Sequence, residues 1–240
     1  SWENIERSEL TLAKMRETAK MLIQASKPKK VLDIGCGDGV FLGMFKSVDC
    51  EVFGTEYDKK NEDLCRAKEI IMFSGDFLHK TDSNLKNNFD LIILTEVIEH
   101  INNPKEVIAN TLTLLKPGGL LYITTPNFSS IERQIIGSNW SLICYPEHLC
   151  YYNPKTLDFF FSNCGYEKVL LRTENISVAS IIKFLKKKKI LVREFQDLPH
   201  DKFSSIAQQY VHKNKFLIFI KKMVNTFLGI TGKGTSLVAL

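Results

Sequence analysis

The sequence predicts an α/β fold: a doubly wound, mostly parallel seven-stranded sheet with a helical insertion before the last strand. Three observations predict it. Val31-Leu32-Asp33-Ile34 reads as a short buried strand, with glycines following at 35, 37 and 39, and then Val40-Phe41-Leu42 to open a helix. Further strand-like apolar runs recur down the chain, separated by stretches of helical spacing. Strands that alternate with helices must cross over, which builds a parallel sheet with right-handed connections.

The elements follow in order. Ser8 to Ala25 carries Leu12, Met15, Ala19, Leu22 and Ile23 at helical spacing, with Ser8 as N-cap and Ser26-Lys27-Pro28 as the stop. After the glycine turn, Cys50 to Asp58 reads as the second strand and its carboxyl-end loop. Asn61 to Lys68 is a short helix, and Glu69 to Phe73 a third strand ending at Ser74-Gly75-Asp76-Phe77. Asn88 to Leu94 is a near-continuous apolar run, as expected of a strand buried on both faces. Lys105 to Leu115 is a helix, stopped by Lys116-Pro117-Gly118-Gly119. Leu120 to Thr125 is the fifth strand. Pro154 to Asn163 is a helix capped by Gly165, Tyr166 to Thr173 the sixth strand and Thr235 to Leu240 the seventh.

That leaves residues 176–232 as an insertion, and residues 1–175 plus 233–240 as one ligand-binding domain. The insertion carries Lys186 to Lys189 and an apolar stripe at 216, 220, 223, 224, 227 and 228 flanked by lysines. Such a basic amphipathic helix packs on its own core, on a second subunit in a homodimer, or on an anionic membrane or lipid-linked substrate.

With 240 residues, 44% hydrophobic and 25% charged, the chain has the composition of a globular protein that buries a sizeable core. A net charge of +5 permits an acidic partner without demanding one, and an extended nucleic-acid groove is not expected. Six cysteines without a C-x-x-C pair read as reduced thiols, with Cys36 a small filler in the glycine turn. No stretch reaches the ~18 uninterrupted apolar residues of a spanning helix. Ser1-Trp2-Glu3 does not open an export signal. A cytoplasmic chain is expected, with peripheral membrane attachment left open by the insertion.

The turn itself selects a ligand class. A dinucleotide fingerprint needs G-x-G-x-x-G, but here the third glycine comes one residue early, at Gly39. Asp33 and Asp38 would repel a pyrophosphate. Such a loop suits a ligand with a cationic end and no phosphate, and S-adenosylmethionine fits. Glu56, 17 residues after Gly39, is placed to accept from ribose hydroxyls, with Asp58 as the alternative. Tyr57 would lie beside the adenine and Asp76 would accept its amino group. Cys36 and Phe77 complete the expected neighbourhood.

Six motifs carry a resemblance: VLDIGCGDG (31–39), GTEYD (54–58), GD (75–76), FDLIILTEVIEHI (89–101), LLKPGGLLYITTPN (114–127) and PEHLCYYNPKTLDFFFSNCGY (146–166). In this order the chain resembles the class I S-adenosylmethionine-dependent methyltransferases. EVIEH and PEHL narrow the resemblance to the branch of ubiquinone-biosynthesis O-methyltransferases and bacterial methyltransferases of sugars and secondary metabolites. It implies that Asp33, Gly35, Gly37, Glu56, Asp76 and the Thr95–Glu96 turn contact the cofactor.

The expected reaction is methyl transfer to a small-molecule acceptor, at a hydroxyl. A hydroxyl nucleophile needs a base or a metal to take its proton. Glu96, Glu99 and His100, at i, i+3 and i+4, share a face if that segment is helical, and His148 follows the fifth strand. Together they are candidates for a divalent metal such as Mg²⁺. Plant-type small-RNA 2′-O-methyltransferases carry a metal site on a similar pattern, which makes RNA methylation the alternative. A non-catalytic scaffold is the third reading. Without metal, His148 is the candidate base, or a buried structural histidine. Trp140, Tyr145, Tyr151 and Tyr152 are expected around it as an acceptor wall or a lid core.

Overall fold

The structure, a computed structural model, describes residues 8–73, 85–175, 223 and 226–240. Gly75, Asp76, Phe77, Lys186 to Lys189 and the stripe residues Phe216, Ile220 and Val224 therefore lie outside the described residues.

Seven strands form one sheet: β1 (Lys30–Ile34), β2 (Glu51–Thr55), β3 (Ile71–Phe73), β4 (Phe89–Thr95), β5 (Leu115–Pro126), β6 (Leu171–Glu174) and β7 (Ser236–Ala239). Their order is β3-β2-β1-β4-β5-β7-β6. Strands β1 to β5 pair in parallel, and β7 runs antiparallel to both β5 and β6. The expected mostly parallel seven-stranded sheet is present. Its order reverses between β1 and β4, which opens a crevice at their carboxyl ends, where such sheets bind ligands.

Side-chain alternation explains why both faces are covered. On β4, Ile92 and Leu94 face one apolar cluster with Leu32, Ile98 and Leu157, while Leu91 and Ile93 face the other with Val31, Leu42 and Phe45. A strand apolar at every position can be buried only between two layers of helices. Those helices are α1 (Glu9–Ser26), α2 (Val40–Lys46), α3 (Lys59–Ala67), α4 (Pro104–Leu114), α5 (Ile131–Ile136) and α6 (Pro154–Asn163). Ser8 caps α1, its Oγ accepting from Thr11 N at 3.2 Å. Asn153 and Thr156 form a capping box on α6. Among the described residues no helix is long and apolar enough to cross a membrane.

Three boundaries differ from expectation. Lys116 to Gly119, read as a turn, belongs to β5: Leu115 already pairs with Phe89, and the register then shifts before Leu91 meets Leu120. Gly118, at φ 76°, takes up that irregularity. The sixth strand starts at Leu171 rather than Tyr166. Val169 N and Leu170 N both donate to Leu240 O and Leu240 N donates back to Leu170 O, so backbone pairing reaches Leu170 but not Tyr166, whose hydroxyl lies 2.9 Å from Thr111 Oγ1. Helix α5 was not expected; Ser130 Oγ caps it by accepting from Arg133 N. Near the end of the insertion, Leu228 is buried while Met223 and Phe227 are exposed.

Candidate active site

The glycine turn is held by the ends of two strands. Gly35 N and Cys36 N both donate to Thr55 O of β2, at 2.9 and 3.0 Å. Gly37 N donates to Glu56 Oε2 at 2.8 Å, and Glu56 Oε1 accepts from Tyr57 N and Asp58 N at 2.8 and 3.0 Å. Glu56 is thus fixed across the mouth of the turn by three backbone N–H groups, with acceptor capacity left on both oxygens. Asp58 is committed elsewhere: its side chain caps α3 through Asn61 N at 2.9 Å. Tyr57 stands 76% exposed at the rim. Gly35 has φ 73°, and a Cβ there would come within 2.7 Å of Val97 Cγ2. Only glycine lets the turn close on the residue that leaves β4.

Asp33, one residue before the end of β1, is buried, and its Oδ1 has no hydrogen-bond partner among the described residues. Burial first, then the nearby Cys65 and Glu56, push its carboxyl well above the usual carboxylate range. A buried carboxyl oxygen left unpaired is costly to the free protein, and a cationic ligand would relieve it. The turn therefore fits a ligand that presents an ammonium group to Asp33 and hydroxyls to Glu56.

A second group forms where β4 and β5 end. Glu96 takes the left-handed conformation (φ 55°), and its N–H donates to Thr124 O at 2.9 Å. Ile98 to His100 then makes one 3₁₀ turn. Glu99 is buried: Oε2 accepts from the Thr125 hydroxyl at 2.9 Å, and Oε1 has no partner among the described residues. The Glu99 carbonyl accepts from Leu149 N and Cys150 N at 2.8 and 3.1 Å, which ties down the loop carrying His148. His100 Nδ1 lies 2.7 Å from Glu147 O, and His148 Nδ1 lies 2.8 Å from Leu142 O. A carbonyl can only accept, so each Nδ1 carries the proton and each Nε2 keeps a lone pair. The two rings meet edge to face at 4.7 Å. One ligand atom from each of Glu99, His100 and His148 lies within 4.8 Å of the others.

Burial raises the pKa of Glu99, opposed by the Thr125 hydroxyl and by His100. Glu96 is reached by solvent but crowded by protein; that crowding and Glu99 raise its pKa, against Thr124, His148 and Lys14. Glu96 was expected to share a face with Glu99 and His100, yet it falls outside their trio. The i, i+3, i+4 relation needs a continuous helix, and the left-handed Glu96 breaks it.

The aromatic surround is smaller than expected. Tyr151 lies 6.2 Å from the His148 ring and 5.3 Å from Phe128. Trp140 is fully buried, whereas Tyr145 is 82% exposed. Tyr152 turns into the core against Phe160. Sequence reasoning missed Thr125, which positions Glu99, and Arg133, whose guanidinium sits 4.1 Å over Phe128. The only available signal was the polar strand end Thr124-Thr125-Pro126-Asn127.

The two groups adjoin, because Val97, against which Gly35 packs, lies between Glu96 and the 3₁₀ turn. Comparison with known proteins identifies the family. A methyltransferase-domain family model matches residues 6–171. The ubiquinone biosynthesis O-methyltransferase of Glaesserella parasuis is 31% identical over 133 residues, 50% of this chain and 55% of that protein. The enzyme of the same name from Proteus mirabilis is 27% identical over 104 residues, 41% of this chain and 42% of that protein. The chain spans about half the length of the curated relatives it matches. In fold, it is similar to a SAM-dependent methyltransferase from Archaeoglobus fulgidus (TM-score 0.56, 19% identity, 97% of this chain and 99% of that one). It is also similar to the [4+2]-cyclase SpnF (TM-score 0.55, 16% identity, 99% and 84%). With more than half of its length matched by the family model, the chain belongs to the methyltransferase-domain family.

Proposed function

We propose that this chain is an S-adenosylmethionine-dependent methyltransferase that acts on oxygen, at a hydroxyl of a small molecule bound between the glycine turn and the Glu99–His100–His148 trio. The observation that carries the reading is the trio itself: two imidazoles with free Nε2 lone pairs beside a buried, half-satisfied carboxylate. An amine acceptor needs only to be neutral, so such a proton-handling group would serve it little. A hydroxyl must give up its proton. The O-methyltransferase names of the partial relatives support the same choice.

When bound, the cofactor supplies a methyl group on a sulfonium, already an excellent leaving group. The residues of this chain then do the rest. Asp33 pairs with the ammonium end and Glu56 with the ribose hydroxyls, which aligns the methyl for in-line attack. Glu99, His100 and His148, one carboxylate and two imidazoles, fit a divalent cation that takes mixed oxygen and nitrogen ligands, which would make a coordinated hydroxyl more acidic. Without such an ion, His148 Nε2 takes the hydroxyl proton directly, while Leu142 O holds the ring's tautomer and direction.

The test is transfer of labelled methyl from S-adenosylmethionine to a panel of catechols, sugars, amines and RNA, with Mg²⁺ or with EDTA. O-methylated small molecules are expected. Loss of activity in EDTA with recovery on Mg²⁺ reports the cation, and activity retained in EDTA assigns the proton to His148. Products on amines or RNA alone would overturn the reading. For the cofactor half of the site, Glu56→Ala is expected to weaken S-adenosylhomocysteine binding by about 1–3 kcal/mol, because the ribose loses its acceptor. Calorimetry showing unchanged affinity would refute that role.

A further inference from the structure

We propose that Cys36 and Cys65 are a redox modification site: a thiol pair that hydrogen peroxide converts to a disulfide, displacing the glycine turn from its cofactor-binding form. The consequence for the cofactor rests on the turn's assignment as its binding site.

The two sulfurs lie 3.7 Å apart, one on the turn and one on α3. A disulfide bond is about 2.0 Å long, so closure needs a shift of about 1.7 Å. Two glycines make room for the pair. A Cβ at Gly54 would come within 2.7 Å of Cys36 Sγ, and one at Gly39 within 2.9 Å of Cys65 Sγ. Both thiols also face the Gly37 carbonyl, at 3.9 and 3.2 Å. Gly37 is the residue whose N–H holds Glu56. Any closing movement therefore acts on the ribose acceptor. The other thiols have different neighbours: Cys50 donates to Pro28 O at 3.1 Å, and Cys144 and Cys150 point at Leu142 O and Ile101 O.

The hydrogen bond between the two thiols lowers the pKa of Cys65 and raises that of Cys36, which makes Cys65 the nucleophile of the pair. Both thiols are buried, Cys65 fully, so peroxide reaches the pair only as the turn opens at the solvent-exposed Gly35 beside Cys36. The Cys65 sulfur attacks one peroxide oxygen: an S–O bond forms, the O–O bond breaks, and the departing hydroxide takes the Cys65 proton as water. The Cys36 sulfur then attacks the Cys65 sulfenic acid. An S–S bond forms, the S–O bond breaks, and the Cys36 proton leaves with the hydroxide as a second water. The two thiols are oxidised by two electrons and the peroxide is reduced to two waters.

The experiment treats reduced protein with hydrogen peroxide, maps its peptides by mass spectrometry, and titrates S-adenosylhomocysteine before and after. The expected result is a Cys36–Cys65 crosslink, with affinity lower by about tenfold or more (about 1.4 kcal/mol) and restored by dithiothreitol. Cys65→Ser, whose hydroxyl keeps the bond to Gly37 O, is expected to bind alike in both conditions. Free or separately over-oxidised Cys36 and Cys65 would overturn the proposal, as would a crosslink that leaves affinity unchanged. Failure of the reduced protein to bind would instead contradict the cofactor assignment, and the peptide map would still decide the crosslink.

Discussion

Asp33→Asn is expected to stabilise the free protein while weakening its grip on the cofactor. The carboxyl is buried, its Oδ1 has no partner among the described residues, and its pKa is raised. A group whose folded pKa lies above its unfolded one binds more protons in the folded state. The folded state therefore loses stability as pH rises from the usual carboxylate range to the raised value. Asparagine removes that loss at almost the same shape. A gain of about 1–2 kcal/mol at neutral pH is expected, or roughly 3 °C or more in Tm for a chain of this length. Binding should move the other way. Only the ionised carboxylate pairs with an ammonium, so cofactor affinity should climb with pH through the same window. In Asp33→Asn that climb should be absent, and the affinity lower by about 2–4 kcal/mol. Thermal unfolding and calorimetry across pH check both signs. Destabilisation together with unchanged affinity would make Asp33 a structural residue.

His148→Ala is expected to cut turnover by about 10²–10⁴-fold, the range for a positioned proton-handling group, while S-adenosylhomocysteine affinity stays within about threefold. The separation follows from placement. His148 belongs to the loop tied to the Glu99 carbonyl, whereas the cofactor turn is held by Thr55 and Glu56 from β2. Single-turnover kinetics beside a binding titration read the two quantities independently. Affinity that collapses along with turnover would show that the buried ring is a packing element.

What the sequence made legible was what local chemistry dictates. Alternating glycines after an apolar strand announce a turn that only glycine can make, and Gly35 against Val97 bears this out. Continuous apolarity in β4 announced a strand between two helical layers. Features set by distant pairing were hidden. Lys116-Pro117-Gly118-Gly119 has the composition of a turn, yet pairing of Leu115 with Phe89 draws it into β5. Tyr151 and Tyr152 are neighbours in sequence but face opposite ways, so grouping both around His148 failed. Thr125 could not be told from Thr124, since which threonine reaches Glu99 depends on strand register. Glu99, His100 and His148 were visible as residue types at strand ends. Their convergence needed the fold, which brings β4 and the loop before α6 together through the Glu99 carbonyl.

The most direct test of the account is a calorimetric titration of the reduced protein with S-adenosylhomocysteine, run with and without Mg²⁺. The account predicts one site per chain with micromolar affinity independent of the cation, because Asp33 and Glu56, on β1 and after β2, are not among the three candidate cation ligands. Absence of binding in both conditions would contradict it.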